Sequence, residues 1–349
     1  MVLGTMPTRP ALLIKVMADD GAFGWGEVWA NFPPRANQHK AHIIEDVILP
    51  RLEGFRFTQP VEVTDFLRAG LSNYFLHVGQ CQVFEHILAG LDTALWDLAL
   101  RSSGQTFAQL AGLTGNRAQV YASSINPPDL ERVFARHSGW GQKHFKLKLG
   151  FDDQRDQTFV ETAIAALPSG ARLMVDSNQK WSLEHAIHML KVLEPHNLAF
   201  SEEPLRADTH ASKWEKLARE TSIPLAGGEN IYGVDRFLEL ADAGLQIVQP
   251  DVAKWGGVTG ALELFDRLPH GIRLWPHFMG TALGQMASIA ISAKVGSASN
   301  CEMDVNLNPL RTALCGDALA VTDGTIDLPK EPGLVTPPVA RELENFLDK

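Results

Sequence analysis

The chain has no long apolar run. A helix that crosses a membrane needs roughly 18 or more consecutive apolar residues, and no segment of the 349 residues approaches that length. The one apolar stretch near the N-terminus, residues 11–16, is short and is flanked by Arg9 and Asp19, which does not fit a secretory signal. We therefore expect a cytoplasmic protein without a membrane partner.

Cysteine and positive charge are both scarce. The three cysteines, Cys81, Cys301 and Cys315, form no CxxC pair, so we expect reduced thiols, with neither a disulfide framework nor a zinc site. The net charge of −10 argues against a nucleic acid partner, because phosphate binding favours a basic surface. The negative net charge does not exclude an anionic small molecule as ligand, because a metal ion and a few lysines can make the local electrostatic potential positive.

The first third of the chain reads as an α+β domain, residues 1–115. Two short β-like runs, 11–17 and 23–29, are joined by Asp19-Asp20-Gly21, which is typical of a hairpin turn. Apolar residues then recur at helical spacing over 38–52, 60–71 and 84–101.

From residue 116 to about 308, short apolar β-runs alternate with helical stretches. Strand and helix in alternation predict parallel strands, and seven or eight such units close into a barrel. An open doubly wound sheet is the alternative, but no GxGxxG or Walker loop follows any of the runs. The turn-rich segment 309–349 is expected to pack back on the N-terminal domain. The β-runs are 119–123, 144–149, 173–176, 198–201, 224–227, 245–249, 272–275 and 300–303.

Each β-run from the second onward ends at or near an ionisable residue. These residues follow one another at intervals of 28, 26, 27, 22, 26 and 25 positions, about one βα unit each. Residues at the carboxyl ends of barrel strands converge at one mouth, where the active sites of this fold lie. We therefore expect one pocket to be lined by Lys148, Asp176, Glu202, Glu229, Asp251, His277 and Glu302.

Three consecutive strand ends supply carboxylates: Asp176 in VDSN, Glu202 in SEEP and Glu229 in GGEN. Three carboxylates that converge need a counter-charge, and oxygen ligands with open positions suit a partly hydrated Mg²⁺. Taken singly, each carboxylate is equally compatible with a helix cap or a solvated rim position. Because strand side chains alternate, we expect only one of Glu202 and Glu203 to point into the mouth.

Two further patterns carry acid–base groups. Lys146 and Lys148 lie on the same side of one strand, and two nearby ammonium groups lower each other's pKa, which favours a neutral lysine as base; most KxK patterns are solvated strand edges. Asp251 and His277 end adjacent strands, so the carboxylate can fix the imidazole tautomer and raise its basicity.

Together these motifs resemble the mandelate racemase group of the enolase superfamily over nearly the whole chain. The matching residues are KLK at 146–148, the VDSN, SEEP and GGEN motifs, PDVAKWGGVTG at 250–260 and PHFMG at 276–280. The resemblance implies a modified TIM-type (β/α)7β barrel with an α+β capping domain, Mg²⁺ as cofactor and a small-molecule carboxylate as substrate. By the same analogy we expect a homo-oligomer, from dimer to octamer.

The resemblance also implies a role for each site residue. It assigns the metal to Asp176, Glu202 and Glu229, one acid–base role to Lys148, and the other to the pair Asp251 and His277. Glu302 and Lys146 would donate to an oxygen of the substrate carboxylate, and Asn178 and Lys254 would contact the substrate. Members of this group begin with a further strand and a capping loop, and only about ten residues precede the first run here, so we expect that part to be missing or short.

The implied reaction is removal of the proton alpha to a carboxylate through a stabilised enolate. We favour dehydration of a sugar acid to a 2-keto-3-deoxy acid, in a pocket made polar by Ser177, Asn178, Asn230 and Asn306. A racemase or epimerase of a 2-hydroxy acid, or a sugar-lactone cycloisomerase, is the alternative. Two other classes stay open: an aldolase that forms a Schiff base on Lys148, and a barrel that has lost its chemistry.

Overall fold

The N-terminal part of the chain is built on a hairpin. The computed structural model describes residues 8–126 and 130–347. β1 (Leu12–Met17) and β2 (Phe23–Val28) pair antiparallel, and Gly21 takes a φ of 86° in the turn between them. This confirms the predicted hairpin. The segment before residue 8, where the sequence predicts a missing or short first strand, lies outside the described residues.

Helices follow the hairpin, close to where the apolar spacing predicts them. The helix predicted for 38–52 is interrupted by a π-helical turn just before Pro50, which has no amide hydrogen to continue regular α-helical bonding. The next helix continues to His77, beyond its predicted end at 71. The bounds are α1 (Ala36–Ile43), the π-helical turn (Ile44–Ile48), α2 (Leu49–Leu52), α3 (Pro60–His77), α4 (Cys81–Ser102) and α5 (Phe107–Leu110).

Glycines let β2 lie directly on α4. A Cβ at Gly24 would stand 2.0 Å from the carbonyl oxygen of Ala94, and one at Gly26 would stand 2.1 Å from that of Gly90. Successive strand side chains point to opposite faces, so the residues between and after these glycines, Trp25 and Glu27, face away from α4. Trp25 packs on the core of the barrel, and Glu27 is buried against the helix that follows β9.

The rest of the chain forms the predicted (β/α)7β barrel, which is confirmed. Eight strands run in the order β10-β3-β4-β5-β6-β7-β8-β9, all parallel, and the amide of Glu302 donates to the carbonyl of Pro276 at 3.1 Å where the ends of this order meet. The strands are β3 (Arg117–Ile125), β4 (His144–Lys148), β5 (Arg172–Asp176), β6 (Ser201–Glu202), β7 (Leu225–Gly227), β8 (Leu245–Val248), β9 (Arg273–Leu274) and β10 (Cys301–Asp304). The helices between them are α6 (Leu130–Gly139), α7 (Asp153–Ala166), α8 (Leu183–Leu193), α9 (Ala211–Glu220), α10 (Val234–Asp242), α11 (Gly257–Arg267) and α12 (Ala282–Val295).

A plug of apolar side chains fills the barrel interior below its mouth. Its buried members come from β3, β5, β7, β8 and the residues next to β6 and β9: Tyr121, Met174, Phe200, Ala226, Ile247 and Trp275. Because strand side chains repeat every second residue, the next inward position after several of these is polar. Those positions are Ser123, Asp176, Glu202, Gln249 and His277. The strand register therefore places a polar layer directly above the plug.

The C-terminal segment contacts both parts of the chain. After α13 (Pro309–Thr312), β11 (Thr325–Asp327) pairs antiparallel with β3, and α14 (Ala340–Phe346) follows. Asp97 of α4 accepts hydrogen bonds from the amides of Leu334 and Val335 at 2.7 and 3.2 Å. Arg101 donates to the carbonyls of Pro332 and Val335 at 3.1 and 2.6 Å. These bonds tie the segment to α4. None of the described helices is both long and apolar enough to cross a membrane.

Candidate active site

All ten site residues predicted from the sequence belong to one network of polar contacts at the carboxyl ends of the strands. Lys146 lies 2.6 Å from Glu202, 2.9 Å from Glu302 and 3.9 Å from Asp176. His277 extends the network from Glu302 to Glu229 and Asp251. The remaining three join at its edge through Lys148–Asp176, Asn178–Asp176 and Lys254–Glu229 contacts. The register of the strands thus gathers residues that are far apart in sequence.

The two lysines of β4 are more basic than the sequence predicts. Burial lowers the pKa of Lys148, but its ion pair with Asp176, with help from Glu202 and Glu302, outweighs burial and raises that pKa above its ordinary value. Burial likewise opposes the carboxylates around Lys146, and its pKa ends well above 10.5. The prediction that mutual repulsion yields a neutral lysine is therefore wrong for this arrangement. Each ammonium group forms a close ion pair with a carboxylate, and this attraction outweighs the repulsion between the two lysines.

Glu202 and Glu203 do not alternate as strand neighbours. Glu202 ends β6 and accepts from Lys146 and, at 2.5 Å, from Gln249 Nε2. Glu203 has a φ of 43°, so the extended backbone stops there and its carboxylate turns into the cavity wall, where it accepts from Asn230 at 2.9 Å. Both side chains are buried at the site. Glu203 is the member of the pair that lines the cavity, whereas Glu202 contacts Lys146 and Gln249 of the polar network. Alternation along the strand could not predict this, because the extended backbone stops at Glu203.

Negative charge exceeds positive charge at the site. Burial, followed by Asp176 and Glu302, raises the pKa of Glu202 to about 7, and burial next to Glu229 and Asp176 raises the pKa of Glu203 well above its ordinary value. With all six carboxylates ionised and the histidine protonated, the negative charges exceed the positive ones by two, which is the charge of one divalent cation. The raised pKa values of Glu202 and Glu203 oppose this fully ionised state as long as no further cation is present. The carboxylates are Asp176, Glu202, Glu203, Glu229, Asp251 and Glu302, and the cations are Lys146, Lys148, Lys254 and His277.

The predicted metal ligands share this network without meeting at a common point. Within residues 8–126 and 130–347, no three histidine, cysteine or carboxylate side chains stand as a ready metal site. Asp176 and Glu202 are turned to the lysines of β4, and Glu229 is turned to His277. The donor chemistry still fits a hard cation, since the ligands offered are oxygens and Glu203 Oε2 and Glu302 Oε2 are buried without a hydrogen-bond partner.

His277 is a buried imidazole between carboxylates. Its Nδ1 lies 2.8 Å from Asp251 Oδ2 and its Nε2 lies 2.5 Å from Glu229 Oε2. Burial lowers the pKa of His277, yet Glu229, Glu302 and Asp251 together raise it well above 6.5. Asp251 in turn accepts from the amide of Ala253 at 2.9 Å. This arrangement holds a proton on Nε2 and directs it toward the carboxylates that meet there.

Glu302 differs from the role implied by the family resemblance. It accepts from Ser123 and lies 2.9 Å from the ammonium group of Lys146. Burial would raise its pKa, but Lys146 and His277 together bring the pKa of Glu302 down to about 2. In this arrangement Glu302 is an ionised acceptor and not the expected donor, because the groups that face it are cations and a hydroxyl.

A cavity of about 220 Å³ lies above the network, between the barrel and the residues that follow β2. Of the predicted pocket residues, Asn178, Asn230, Asn306 and Lys254 line it. Ser177 does not: it is buried, and its hydroxyl donates to the carbonyl of Glu203 at 3.1 Å. The lining also includes residues that the sequence reasoning did not single out: Trp29, Asn31, Phe32, Ser124, Asn126, Phe151, Gln179 and Met279. Asn31 and Phe32 come directly after a predicted strand, which is the signal that could have found them.

Sequence and structure comparisons agree with this architecture. Residues 130–338 match the family model described as enolase C-terminal domain-like, and residues 1–112 match the N-terminal domain of mandelate racemase / muconate lactonizing enzyme. A crystal structure of a mandelate racemase/muconate lactonizing enzyme from Bordetella bronchiseptica RB50 is 42% identical, with a TM-score of 0.90 over 96% of this chain and 94% of that one.

Two curated enzymes are more distant relatives. D-galactarolactone cycloisomerase of Agrobacterium fabrum is 26% identical over 93% of this chain and 88% of that enzyme. D-galactonate dehydratase of Verminephrobacter eiseniae is 29% identical over 76% of this chain and 71% of that enzyme. A capped (β/α)7β barrel with these matches is an enzyme of the enolase superfamily. Within that superfamily, the chain belongs to the mandelate racemase/muconate lactonizing enzyme family.

Proposed function

We propose that this enzyme removes the proton alpha to the carboxylate of a sugar acid and then dehydrates it to a 2-keto-3-deoxy acid. The observation that carries the proposal is the position of Lys148 and His277, which both line the cavity. Lys148 is the last residue of β4 and His277 follows β9. These two strands have β10 and β3 between them on one side of the barrel and four strands on the other. Two proton-transfer groups therefore reach one small substrate from well-separated directions.

We propose Mg²⁺ as the cofactor, held by Asp176, Glu202 and Glu229. The excess of two negative charges and the all-oxygen donors support this assignment. When bound, such an ion polarises the substrate carboxylate and stabilises the enolate charge. Lys146, buried among Glu202 and Glu302, adds a fixed positive charge beside that position.

The protein's own groups move the protons. Lys148 Nζ can take the α-proton only after it loses the contact with Asp176 that holds the pKa of this lysine high. His277, kept protonated by Asp251 and Glu229, gives its Nε2 proton to the departing β-hydroxyl. The α C–H and β C–O bonds break, water leaves, and the resulting enol tautomerises to the 2-keto acid.

The cavity lining supports a polyhydroxylated substrate. Amide and hydroxyl side chains, which can both donate to and accept from sugar hydroxyls, outnumber the apolar ones: Asn31, Ser124, Asn126, Asn178, Gln179, Asn230 and Asn306. The name of the relative D-galactonate dehydratase refers to a sugar acid of this kind.

Cycloisomerisation or epimerisation is the second candidate. In epimerisation, His277 gives its proton to the α-carbon from the opposite face to Lys148, and the configuration at that carbon inverts. In cycloisomerisation of a lactone, Lys148 takes the α-proton and the β C–O bond of the ring breaks, so the leaving carboxylate stays attached and the product keeps all its atoms. The relative named D-galactarolactone cycloisomerase aligns over 93% of this chain, so this option is kept in the test.

The test is a screen of hexaric, hexonic and tartaric acids with Mg²⁺ in D₂O. We expect a 2-keto acid, measured by a carbonyl assay, and α-deuterium in the recovered substrate, measured by NMR. We expect both to vanish with EDTA and to return with Mg²⁺. Deuterium exchange without keto acid would exclude dehydration and favour the second candidate. Turnover that survives EDTA, with borohydride trapping on Lys148, would favour a Schiff-base enzyme instead.

Variants assign the two proton-transfer groups. We expect Lys148→Ala and His277→Asn each to lower turnover by about 10² or more, since each removes a general acid or base, while the fold and Mg²⁺ binding stay intact. Lys213→Ala and His188→Asn, which change exposed residues on α9 and α8, are the matched controls. Full turnover in either site variant would remove that residue from the mechanism.

A further inference from the structure

The loop that carries His277 is fastened by side chains from outside its own strand and helix. This loop, residues 276–281, connects β9 to α12. Asn31 Nδ2 donates to the carbonyl of Met279 at 2.5 Å, and Asn308 Nδ2 donates to that of Gly280 at 2.9 Å. The carbonyls of the second and third residues after His277 are therefore fixed, the first of them by a side chain of the N-terminal domain.

Glu27 makes the largest set of these contacts. Its carboxylate accepts from the amide of Thr281 at 3.0 Å, from the Thr281 hydroxyl at 2.5 Å, and from the amide of Gly284 at 3.1 Å. These amides lie in the first turn of α12, where free amide hydrogens and the helix dipole favour a negative charge. Glu27 is 4% exposed, so no solvent replaces the hydrogen bonds if they are lost.

Close backbone packing brings Glu27 to this position. Gly26 lets β2 lie on α4, which turns the next side chain toward the barrel. On the other side, a Cβ at Gly280 would stand 2.4 Å from Glu27 Oε1, and one at Gly284 would stand 3.0 Å from Oε2. Gly26 therefore brings the carboxylate close to the barrel, and Gly280 and Gly284 leave room for the carboxylate and for nothing larger.

We propose that Glu27 is a positioning residue for His277: the N-terminal domain, through this carboxylate, sets where the imidazole stands. The loop that Glu27 anchors contains His277. Gly280 and Gly284, which border Glu27, also border Phe278, the residue after the histidine. The catalytic part of this inference rests on the proposed acid–base role of His277, whereas the structural part does not.

The direct test reads the imidazole itself, with no substrate or metal. In protein labelled with ¹⁵N-histidine, we expect Glu27→Ala to shift the His277 ring nitrogens, because the 2.8 Å contact with Asp251 depends on the loop. The exposed His188 serves as the internal reference. Glu27→Gln keeps one acceptor oxygen of nearly the same size, so we expect a smaller shift in the same direction. Glu53→Ala, which changes an exposed residue of the same domain, is expected to change nothing.

An unchanged His277 signal in a folded Glu27 variant would overturn the proposal. If Glu27→Ala does not fold, Glu27→Gln decides by the same criterion. A general shift of all histidine signals, including His188, would also overturn it, because Glu27 would then support the fold as a whole and not this loop.

Exchange kinetics then test the catalytic consequence. We expect Glu27→Ala to slow formation of the 2-keto acid, which needs His277 as general acid, by about tenfold or more, since a misplacement near 1 Å can cost about 10²-fold. We expect it to change the α-deuterium exchange that depends on Lys148 by less than about twofold. Glu27→Gln is expected to restore most of the loss. An equal loss of the rate that depends on His277 and of the rate that depends on Lys148 would overturn the specific link to His277. Absence of any exchange in the unmodified enzyme would reject the proposed function and leave the NMR result to decide the positioning role.

Discussion

Lys40 is a buried lysine in α1 whose hydrogen-bond partners, among the described residues, carry no negative charge. It donates to the carbonyl of Trp29 and lies 2.9 Å from His86 Nδ1, and His86 Nε2 in turn lies 2.9 Å from the hydroxyl of Tyr232. Lys40 and Lys254 both lie 4.9 Å from the centre of the Trp29 ring, which lines the cavity. The indole is thus held between two amines, one on each domain.

We expect Lys40 to make the stability of the protein depend on pH. Burial, and then the charge of Lys254, lowers the pKa of Lys40 from 10.5 to about 7. Between these values the unfolded chain binds a proton that the folded protein does not, so this lysine makes folding more favourable as pH rises from 7 to 10. Lys40→Met removes that dependence. The free energy of unfolding of the wild type, relative to this variant, is expected to rise by on the order of 3 kcal/mol across the window.

Urea unfolding at several pH values measures this difference. Lys213→Met, on the exposed face of α9, is the control and is expected to run parallel to the wild type. A Lys40→Met curve that is also parallel to the wild type would show that Lys40 keeps its ordinary pKa.

At this scale the sequence identified the chemistry of the site but not the environment of each group. Asp251 and His277 were paired correctly by their positions at adjacent strand ends, and the structure joins them at 2.8 Å. The basicity of Lys148 and the ionisation of Glu302 were predicted wrongly. Both depend on which neighbours lie within a few ångströms, and strand-end spacing gives no distances across a barrel.

The contact between β2 and α4 is the tightest junction between elements in the N-terminal domain. Gly24 and Gly26 on the strand and Gly90 on the helix leave no room for a side chain. This junction fixes the direction of Trp25 and Glu27, which both reach the barrel. β2 is therefore one of the elements through which the domain contacts the barrel, beside α4, whose Asp92 and Trp96 bond to Thr259 of α11.

We expect Gly26→Ala to destabilise the protein by about 2 kcal/mol or more, because the new methyl group overlaps the backbone of α4. The measurement is the urea midpoint of unfolding. Gly70→Ala in α3 is the matched control: nothing lies within 4 Å of its added Cβ, so a gain of about 0.5 to 1 kcal/mol from higher helix propensity is expected. Equal stability of Gly26→Ala and the wild type would mean that β2 can move away from α4.

The elements themselves were predictable because their patterns are local. Apolar periodicity located α3, α4 and all eight barrel strands. The predicted strand 198–201 is an exception in detail: the paired residues are Ser201 and Glu202. Sheet pairing across the barrel sets where a short strand begins and ends, and hydrophobicity does not record that pairing.

For the whole molecule, Asp97 of α4 joins three parts of the chain. Its side chain is fully buried, pairs with Arg101 at 3.0 Å and accepts from the amides of Trp25, Leu334 and Val335. The hairpin, α4 and the C-terminal segment are thus held at one carboxylate. Removal of a buried charge leaves its partners without compensation.

We expect Asp97→Ala to lower stability by about 3 kcal/mol or more and to speed hydrogen exchange at Leu334 and Val335 before the barrel strands exchange. Hydrogen exchange followed by mass spectrometry separates the two regions. Asp65→Ala, an exposed residue of α3, is the control and should exchange like the wild type. Simultaneous faster exchange everywhere would mean that the C-terminal segment unfolds only together with the barrel.

The homo-oligomer expected from the sequence stays a prediction, which sedimentation equilibrium can check.

The side chains of the cavity wall come from two parts of the chain, the ends of the barrel strands and the residues that follow β2. Proton-transfer groups come from strand ends, where the register of eight strands fixes them. Trp29 and Phe32 come from the few residues after one hairpin strand and supply shape without a titratable group of their own. Selection among acids can therefore evolve, or be engineered, by exchanging these two side chains while the reaction chemistry is inherited unchanged.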